Sequence, residues 1–126
     1  MNLRSLFAAA IFAAATAAPA YAQQGLDNPM TRAMMEVYNQ ELAANPQSYE
    51  VYFRRANEYY KFNQYLRALS DVDNAIKYAP AADTEFLYEA RFLRAEIYQM
   101  LGKHREALDD FAEALKLDPS SFLALY

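Results

Sequence analysis

Acidic residues and one histidine are the side chains of this sequence whose types and spacing most suggest acid–base chemistry. Asp109 and Asp110 are adjacent, Asp71 and Asp73 lie two positions apart, and His104 is the single histidine of the chain. Two carboxylates that face one substrate can exchange a proton with it, and histidine can act as a base near neutral pH. Adjacent residues of a helix point about 100 degrees apart, and residues two apart are separated further. Neither carboxylate pair is therefore expected to converge on one substrate.

A structural role explains the same residues better. We expect Asp109 and Asp110 to be solvated or to pair with Arg105 and Lys116, and His104 to be a partly exposed packing residue at the start of a helix. The chain has one histidine and no cysteine, so it offers no ligand set at a recognisable zinc spacing. It also has no glycine-rich phosphate loop, no nucleophile elbow and no EF-hand spacing. We predict that the protein is not an enzyme and uses no metal or cofactor, and we keep a periplasmic enzyme only as a remote alternative.

A repeated stretch predicts the elements that position these residues. Residues 68–80 read ALSDVDNAIKYAP and residues 107–119 read ALDDFAEALKLDP, so closely similar letters recur 39 positions apart. Prolines at positions 46, 80 and 119 each follow an apolar pattern of helical spacing, and a helix cannot continue through them. Each interval between these prolines is expected to hold two helices of about 14 residues, with a break between them.

Residue types at the helix ends agree with this division. Asn63 and Gly102 stand at the same distance from their closing prolines, and asparagine and glycine best tolerate the left-handed backbone that ends a helix. Ser48 and Asp83 are predicted to cap the first helix of each pair. The second interval is five residues longer than the first. An extra turn on the helix from Thr84 to Leu101 is expected to absorb the difference.

These features resemble the tetratricopeptide repeat, a helix-turn-helix unit of 34 residues. The matching positions are Tyr52, Ala56, Tyr59, Tyr65, Ala68, Val72, Ala75 and Pro80 in the first copy, and Ala95, Tyr98, Gly102, Ala107, Phe111, Ala114 and Pro119 in the second. The sequence departs from the pattern at Arg91 in the Trp place, at His104 in the place of Tyr, and at Arg55 and Arg94, where Leu is common. The resemblance implies an all-α solenoid of helical hairpins, about two and a half repeats long.

The composition of the first residues and the resemblance together predict a division of the chain. We expect residues 1–22 to be a leader, residues 23–29 a short N-terminal segment, and residues 30–126 the repeat domain. Within it, residues 30–46 form a half repeat that caps the stack, residues 47–80 repeat 1, residues 81–119 repeat 2 with the insertion, and residues 120–126 the start of a further helix. Pro29 fits the first helical position of the half repeat and Asn28 its cap. Alanines at positions 56, 68, 75, 95, 107 and 114 are expected to let antiparallel helices approach closely.

The C-terminal end of the predicted stack lacks a polar outer face. Phe122, Leu123 and Leu125 are apolar, and about three repeats are needed for a stable stack. We expect either that further repeats continue the stack or that this end docks on a partner. A second copy of this chain is one such partner, which would give a homo-oligomer.

The first 22 residues have the composition of a secretory signal. Arg4 precedes an apolar run that ends in small residues, and the cleavage rule places the cut after Ala22, so the mature chain would begin at Gln23. Pro19 interrupts the apolar run, which is too short for a comfortable membrane span of roughly 20 residues. We expect a periplasmic or secreted protein without a stable membrane anchor.

The charge of the chain excludes one class of partner. Its formal net charge is −4, and the leader contributes only Arg4, so the mature chain is more acidic still. Proteins that bind nucleic acid need a basic face to neutralise phosphates. We therefore expect no nucleic acid as the partner, and the resemblance to the tetratricopeptide repeat implies a protein or a peptide instead.

In tetratricopeptide proteins the first helix of each repeat lines a concave groove, and the resemblance implies where that groove lies. Its positions fall on Glu50, Phe53, Arg54, Asn57, Tyr60 and Lys61 in the first copy and on Glu89, Phe92, Leu93, Glu96, Gln99 and Met100 in the second. The residues we select as ligand candidates are Phe53, Arg54, Asn57, Tyr60, Lys61, Phe92, Glu96 and Gln99. An apolar anchor with charged and amide groups nearby would suit a peptide. Two alternatives remain: both phenylalanines only pack between repeats, or the groove belongs to an envelope system that handles glycans.

Overall fold

The computed structural model describes residues 26–118, and within them the chain is helical with no strand. The helices are α1 Pro29–Ala44, α2 Tyr49–Lys61, α3 Tyr65–Tyr78, α4 Thr84–Met100 and α5 His104–Leu117. Helices α2 and α3 form one antiparallel hairpin and α4 and α5 a second, while α1 packs on α2 as a single helix. The predicted all-α fold of helical hairpins is confirmed. The predicted leader and the start of a further helix lie outside the described residues.

The predicted cap of α1 is present. The Asn28 side-chain oxygen accepts hydrogen bonds from the backbone amides of Met30 at 2.9 Å and Thr31 at 3.5 Å, and Pro29 is the first helical residue. These bonds satisfy amide donors that an uncapped helix would leave without partners. The helix ends at Ala44, two residues before Pro46.

Left-handed residues end the first helix of both hairpins, as predicted. The φ angle is 63° at Asn63 and 75° at Gly102. In the first hairpin the backbone amide of Gln64 donates to the carbonyl of Tyr59 at 2.8 Å, and the equivalent bond in the second hairpin is also 2.8 Å long. This six-residue closure is the Schellman arrangement, which satisfies the last carbonyls of a helix.

Replacing Gly102 with alanine is expected to lower the free energy of unfolding by about 1 kcal/mol, because an L-residue is strained in the left-handed region. The added Cβ would meet no atom of the described residues within 4 Å, so the loss should come from the backbone alone. Gly102→Asn should cost less, because Asn63 already adopts this conformation in the first hairpin. Urea denaturation of the three proteins measures the difference, and equal losses for alanine and asparagine would contradict this explanation.

The start of α4 joins the two hairpins. The Asp83 side chain accepts from the backbone amide of Phe86 at 3.3 Å and from the hydroxyl of Tyr49, at the start of α2, at 3.2 Å. The rings of Tyr49 and Phe86 meet edge to face at 4.8 Å. Ser48 occupies the N-cap position of α2 as predicted, but its side chain makes no capping bond. Helix α4 begins at Thr84 and has 17 residues, whereas α2 has 13, so the longer second interval appears as a longer helix.

Small residues lie where the helices approach most closely. All six alanines predicted to allow this approach are buried, with at most 2% of their surface exposed. One buried cluster spans both hairpins and consists of Ala56 from α2, Ala68 and Val72 from α3, and Ala90, Leu93 and Ile97 from α4. This buried cluster therefore runs continuously from the first hairpin to the second, as expected for stacked repeats.

A buried ion pair replaces apolar packing at one place in each hairpin. Arg55 donates two hydrogen bonds to Asp71, at 2.8 and 2.7 Å, and Arg94 donates two to Asp110, at 2.6 and 2.7 Å. The bonds to Asp110 raise the pKa of Arg94, although partial burial opposes this. Two-pronged pairing satisfies the planar guanidinium and both carboxylate oxygens. The departures from leucine at Arg55 and Arg94 thus have a structural cause.

The environment predicted for the Asp110 carboxylate is wrong. Asp110 is 4% exposed and pairs with arginines of α4, not with Arg105 or Lys116. Position 110 lies one helix turn after buried Ala107, which turns its side chain toward α4, while Asp109 points to solvent. Lys116 instead pairs with Glu113 at 2.9 Å.

The same arginines also link neighbouring repeats. Arg55 donates to the side-chain oxygen of Asn39 on α1 at 2.8 Å, and Arg94 donates to Asp73 on α3 at 3.0 Å. Asn39 and Asp73 are 34 positions apart, one repeat length. Each arginine therefore contacts the second helix of its own hairpin and the helix that precedes that hairpin. The longer second interval does not change this pattern.

The stack curves toward α2 and α4, which are the first helices of the two hairpins. Helix α2 approaches α4, whereas in the described part of the chain α1 does not contact α3, nor α3 contact α5. Helices that stay in contact from one repeat to the next lie on the inner side of a curved array. Helices α2 and α4 therefore form the concave side.

Candidate functional site

An open groove of about 450 Å³ runs between α2 and α4 on the concave side. Two residues of α2 and five of α4 line it: Phe53, Asn57, Tyr88, Glu89, Phe92, Leu93 and Glu96. The lining combines aromatic rings with an amide and two carboxylates. Such a combination suits a ligand that has both apolar and polar groups.

The groove residues of α2 make further contacts within the protein. Phe53 is half-buried, and its ring meets Phe86 of the next hairpin edge to face at 5.3 Å. One turn later, Asn57 donates its side-chain amide to the carbonyl of Phe53 at 3.1 Å. That bond leaves the Asn57 oxygen and its second amide hydrogen for a ligand. Phe53 thus serves both in packing between hairpins and in the groove.

The α4 wall carries the most exposed aromatic side chain of the groove. Phe92 is 41% exposed. Its ring meets Phe111 edge to face at 5.1 Å and lies 6.1 Å from Tyr88, one turn earlier on α4. These neighbours hold the ring in place while one side faces solvent. A fixed, exposed aromatic ring loses little entropy when a ligand covers it.

One end of the groove brings Tyr60 of α2 close to Glu96 of α4. Burial raises the pKa of Tyr60, and the charge of Glu96 and a hydrogen bond to it add to that rise. The hydroxyl therefore stays protonated, with a proton available to the carboxylate. Tyr60 and Glu96 therefore face each other across that end of the groove.

The structure brings together part of the predicted site. Phe53, Asn57, Phe92 and Glu96 line the groove, with Tyr60 at its end. Three further candidates are exposed and lie outside the lining: Arg54, Lys61 and Gln99. Lys61 lies over the ring of Phe62, 5.6 Å from its centre.

Sequence reasoning missed Tyr88 as a lining residue. It precedes Phe92 by four residues, the spacing that places two side chains on one face of a helix. That spacing was the available signal. Its counterpart 39 positions earlier, Tyr49, belongs to the first turn of α2, donates to Asp83 and is not among the lining residues, so the comparison between repeats did not point to Tyr88.

Residues 88–121 match the family model described as tetratricopeptide repeat. This match spans the groove wall of α4 and the whole of α5, and it supports the resemblance of this part of the chain to the tetratricopeptide repeat. A comparison with curated proteins gave no match. Repeats of this type generally mediate interactions between proteins, and they use the concave side of the array to do so.

The described residues hold no group of three or more side chains that could bind a metal ion. Asp109 and Asp110 do not act together, because Asp110 is engaged by Arg94 and Asp109 faces solvent. His104 is exposed at the first position of α5. Across residues 26–118, no helix has the length and apolar character needed to cross a membrane.

Proposed function

We propose that this protein is a non-catalytic interaction module that binds a segment of another protein in the groove between α2 and α4. The observation that carries the proposal is Phe92, an aromatic side chain 41% exposed inside a concave groove and held there by Phe111 and Tyr88. Exposed aromatic residues beside polar groups are typical anchors of protein interfaces.

Polar groups support recognition of a peptide in particular. Asn57 offers a donor and an acceptor to a peptide backbone, and Glu89 and Glu96 offer acceptors along the facing helix. The walls are joined by the hydrogen bond from Tyr49 to Asp83 at one end, and Tyr60 faces Glu96 across the other. A groove with fixed walls binds without the cost of ordering them.

The proposed place of action is the bacterial periplasm. The support comes from residues 1–22, where Arg4, an apolar run and a small-residue cleavage site after Ala22 follow each other in the order of a secretory signal. The proposed partner is therefore a protein of the same compartment.

A crosslinking experiment in the native cells tests the proposed function. A photoreactive amino acid placed at position 92 should capture a protein on illumination, and mass spectrometry identifies it. The same amino acid at positions 66 and 108 is the control, because Leu66 and Leu108 are 71% and 69% exposed and lie outside the groove. Nonspecific apolar contact would label these positions more strongly than position 92.

Capture at position 92 that is absent at 66 and 108, and that is lost when Asn57 is replaced by alanine, supports the proposal. Equal or stronger capture at the control positions would contradict it, as would no capture at any of the three. Stabilisation by a soluble oligosaccharide, with no protein captured, would favour the glycan-handling alternative.

A further inference from the structure

The charges inside the groove are all of one sign. Among the described residues that line it, only Glu89 and Glu96 are charged. Neither carboxylate lies within 4 Å of a lysine or arginine nitrogen in residues 26–118. The arginines of α4, Arg91 and Arg94, are directed away from the groove and pair with Asp110. The groove therefore presents uncompensated negative charge to a ligand.

The two carboxylates have a defined separation. Seven residues, or two helical turns, separate Glu89 from Glu96, which places their backbones about 10 Å apart along the axis. Phe92 lies between them on the same face. The sequence of groups along this wall is thus carboxylate, aromatic ring, carboxylate.

An extended peptide can match this order. Alternate residues of an extended chain point to the same side, so positions 1, 3 and 5 face one surface over roughly 13 Å. Arginine side chains at positions 1 and 5 are long enough to adjust to the carboxylate spacing, and an apolar residue at position 3 would then face Phe92. A segment with acidic residues at positions 1 and 5 would instead meet like charges.

We propose, as a refinement that rests on the proposed function, that the groove selects a basic peptide segment in which an apolar residue stands between two basic ones. The two basic side chains pair with Glu89 and Glu96, and the apolar side chain covers the exposed side of Phe92. Charge complementarity of this kind determines which partner binds more than how tightly it binds.

Three synthetic peptides test this refinement on the leaderless chain. They share the pattern Gly-X-Gly-Leu-Gly-X-Gly, in which X is arginine, alanine or glutamate, and their affinities are measured by fluorescence anisotropy. The arginine peptide should bind most tightly, and its affinity should fall as salt is raised because exposed pairs are screened. The double variant Glu89→Gln, Glu96→Gln should bind it about fivefold more weakly, the effect expected from exposed ion pairs.

A matched variant controls for overall charge. Glu85→Gln with Glu106→Gln removes the same two charges at exposed positions outside the groove lining, and it should bind the arginine peptide as the parent does. Circular dichroism should be the same for all three proteins.

The outcomes separate the refinement from the proposed function. Equal binding of the three peptides, tighter binding of the glutamate peptide, or equal weakening by both double variants would overturn the refinement. Absence of binding by all three peptides would overturn it too. In each case, crosslinking at position 92 decides independently whether the groove holds a protein.

Discussion

Replacing Asp110 with alanine is expected to lower the free energy of unfolding by about 3 kcal/mol, the lower end of the range for breaking a buried ion pair. Asp110 has 5% of its side chain exposed and Arg94 has 19%, so the arginine would remain largely desolvated after its partner is lost. The Arg94 guanidinium would still be partly solvated and paired with Asp73, so the lower end of that range applies. Urea denaturation followed by circular dichroism measures the loss.

Asp109→Ala is the matched control, because it removes the same group from the adjacent, exposed position of the same helix. It should change stability by less than about 0.5 kcal/mol. The double variant Arg94→Met, Asp110→Leu should be more stable than Asp110→Ala alone, because apolar residues of similar size can replace a buried pair at little cost. Equal losses for Asp109→Ala and Asp110→Ala would show that the pair contributes nothing.

Local rules explain why the hairpins could be predicted from the sequence. The backbone at Asn63 and Gly102 depends on residue type alone, and proline ends a helix wherever it occurs. The cap formed by Asp83 involves an amide only three residues away. Signals of this kind are complete within a few positions of the chain.

The ion pairs could not be predicted in the same way. Arg94 and Asp110 are 16 positions apart on different helices, and only the packing of the hairpin brings them together. Two adjacent aspartates are equivalent by composition, so the choice between Asp109 and Asp110 depends on how α5 is rotated. Arg94 lies 39 positions after Arg55, and Asp110 lies 39 positions after Asp71. This shared spacing was the signal that could have indicated a repeated pair.

The candidate site was predicted only as a face of each helix. Phe53 and Phe92 occupy the same place in their repeats, yet Phe53 packs on Phe86 of the following hairpin while Phe92 packs on Phe111 of its own. Their different exposure follows from these neighbours, which lie on other helices. The sequence could identify the two rings but not their different environments.

Helix α4 contributes residues both to the buried core and to the proposed binding site. One of its faces carries Glu89, Phe92 and Glu96 to the groove, and the face beside it buries Ala90 and Ile97 in the shared core. A change in the packing of that core would rotate or shift the groove wall. Substitutions in the groove therefore need a check of stability, and substitutions in the core are expected to affect binding.

The replacement of Ile97 with alanine is expected to lower the free energy of unfolding by about 3 kcal/mol, because it leaves a cavity that the neighbouring helices fill only in part. Ile97 is fully buried and, with Val72, is one of the largest fully buried side chains of the described residues. It belongs to the cluster that includes Val72 on α3 and Ala56 on α2, so the cavity would lie between the hairpins. Both hairpins should therefore lose stability together.

Hydrogen exchange distinguishes this shared core from two independent hairpins. In Ile97→Ala, peptides from α2 and from α4 should lose protection to a similar extent, whereas Leu108→Ala should change neither, because Leu108 is 69% exposed. A loss confined to α4 and α5 would show that each hairpin is stable by itself. In that case the groove walls would be held together only by the contacts at its ends, and the preformed site that peptide binding requires would be lost first on destabilisation.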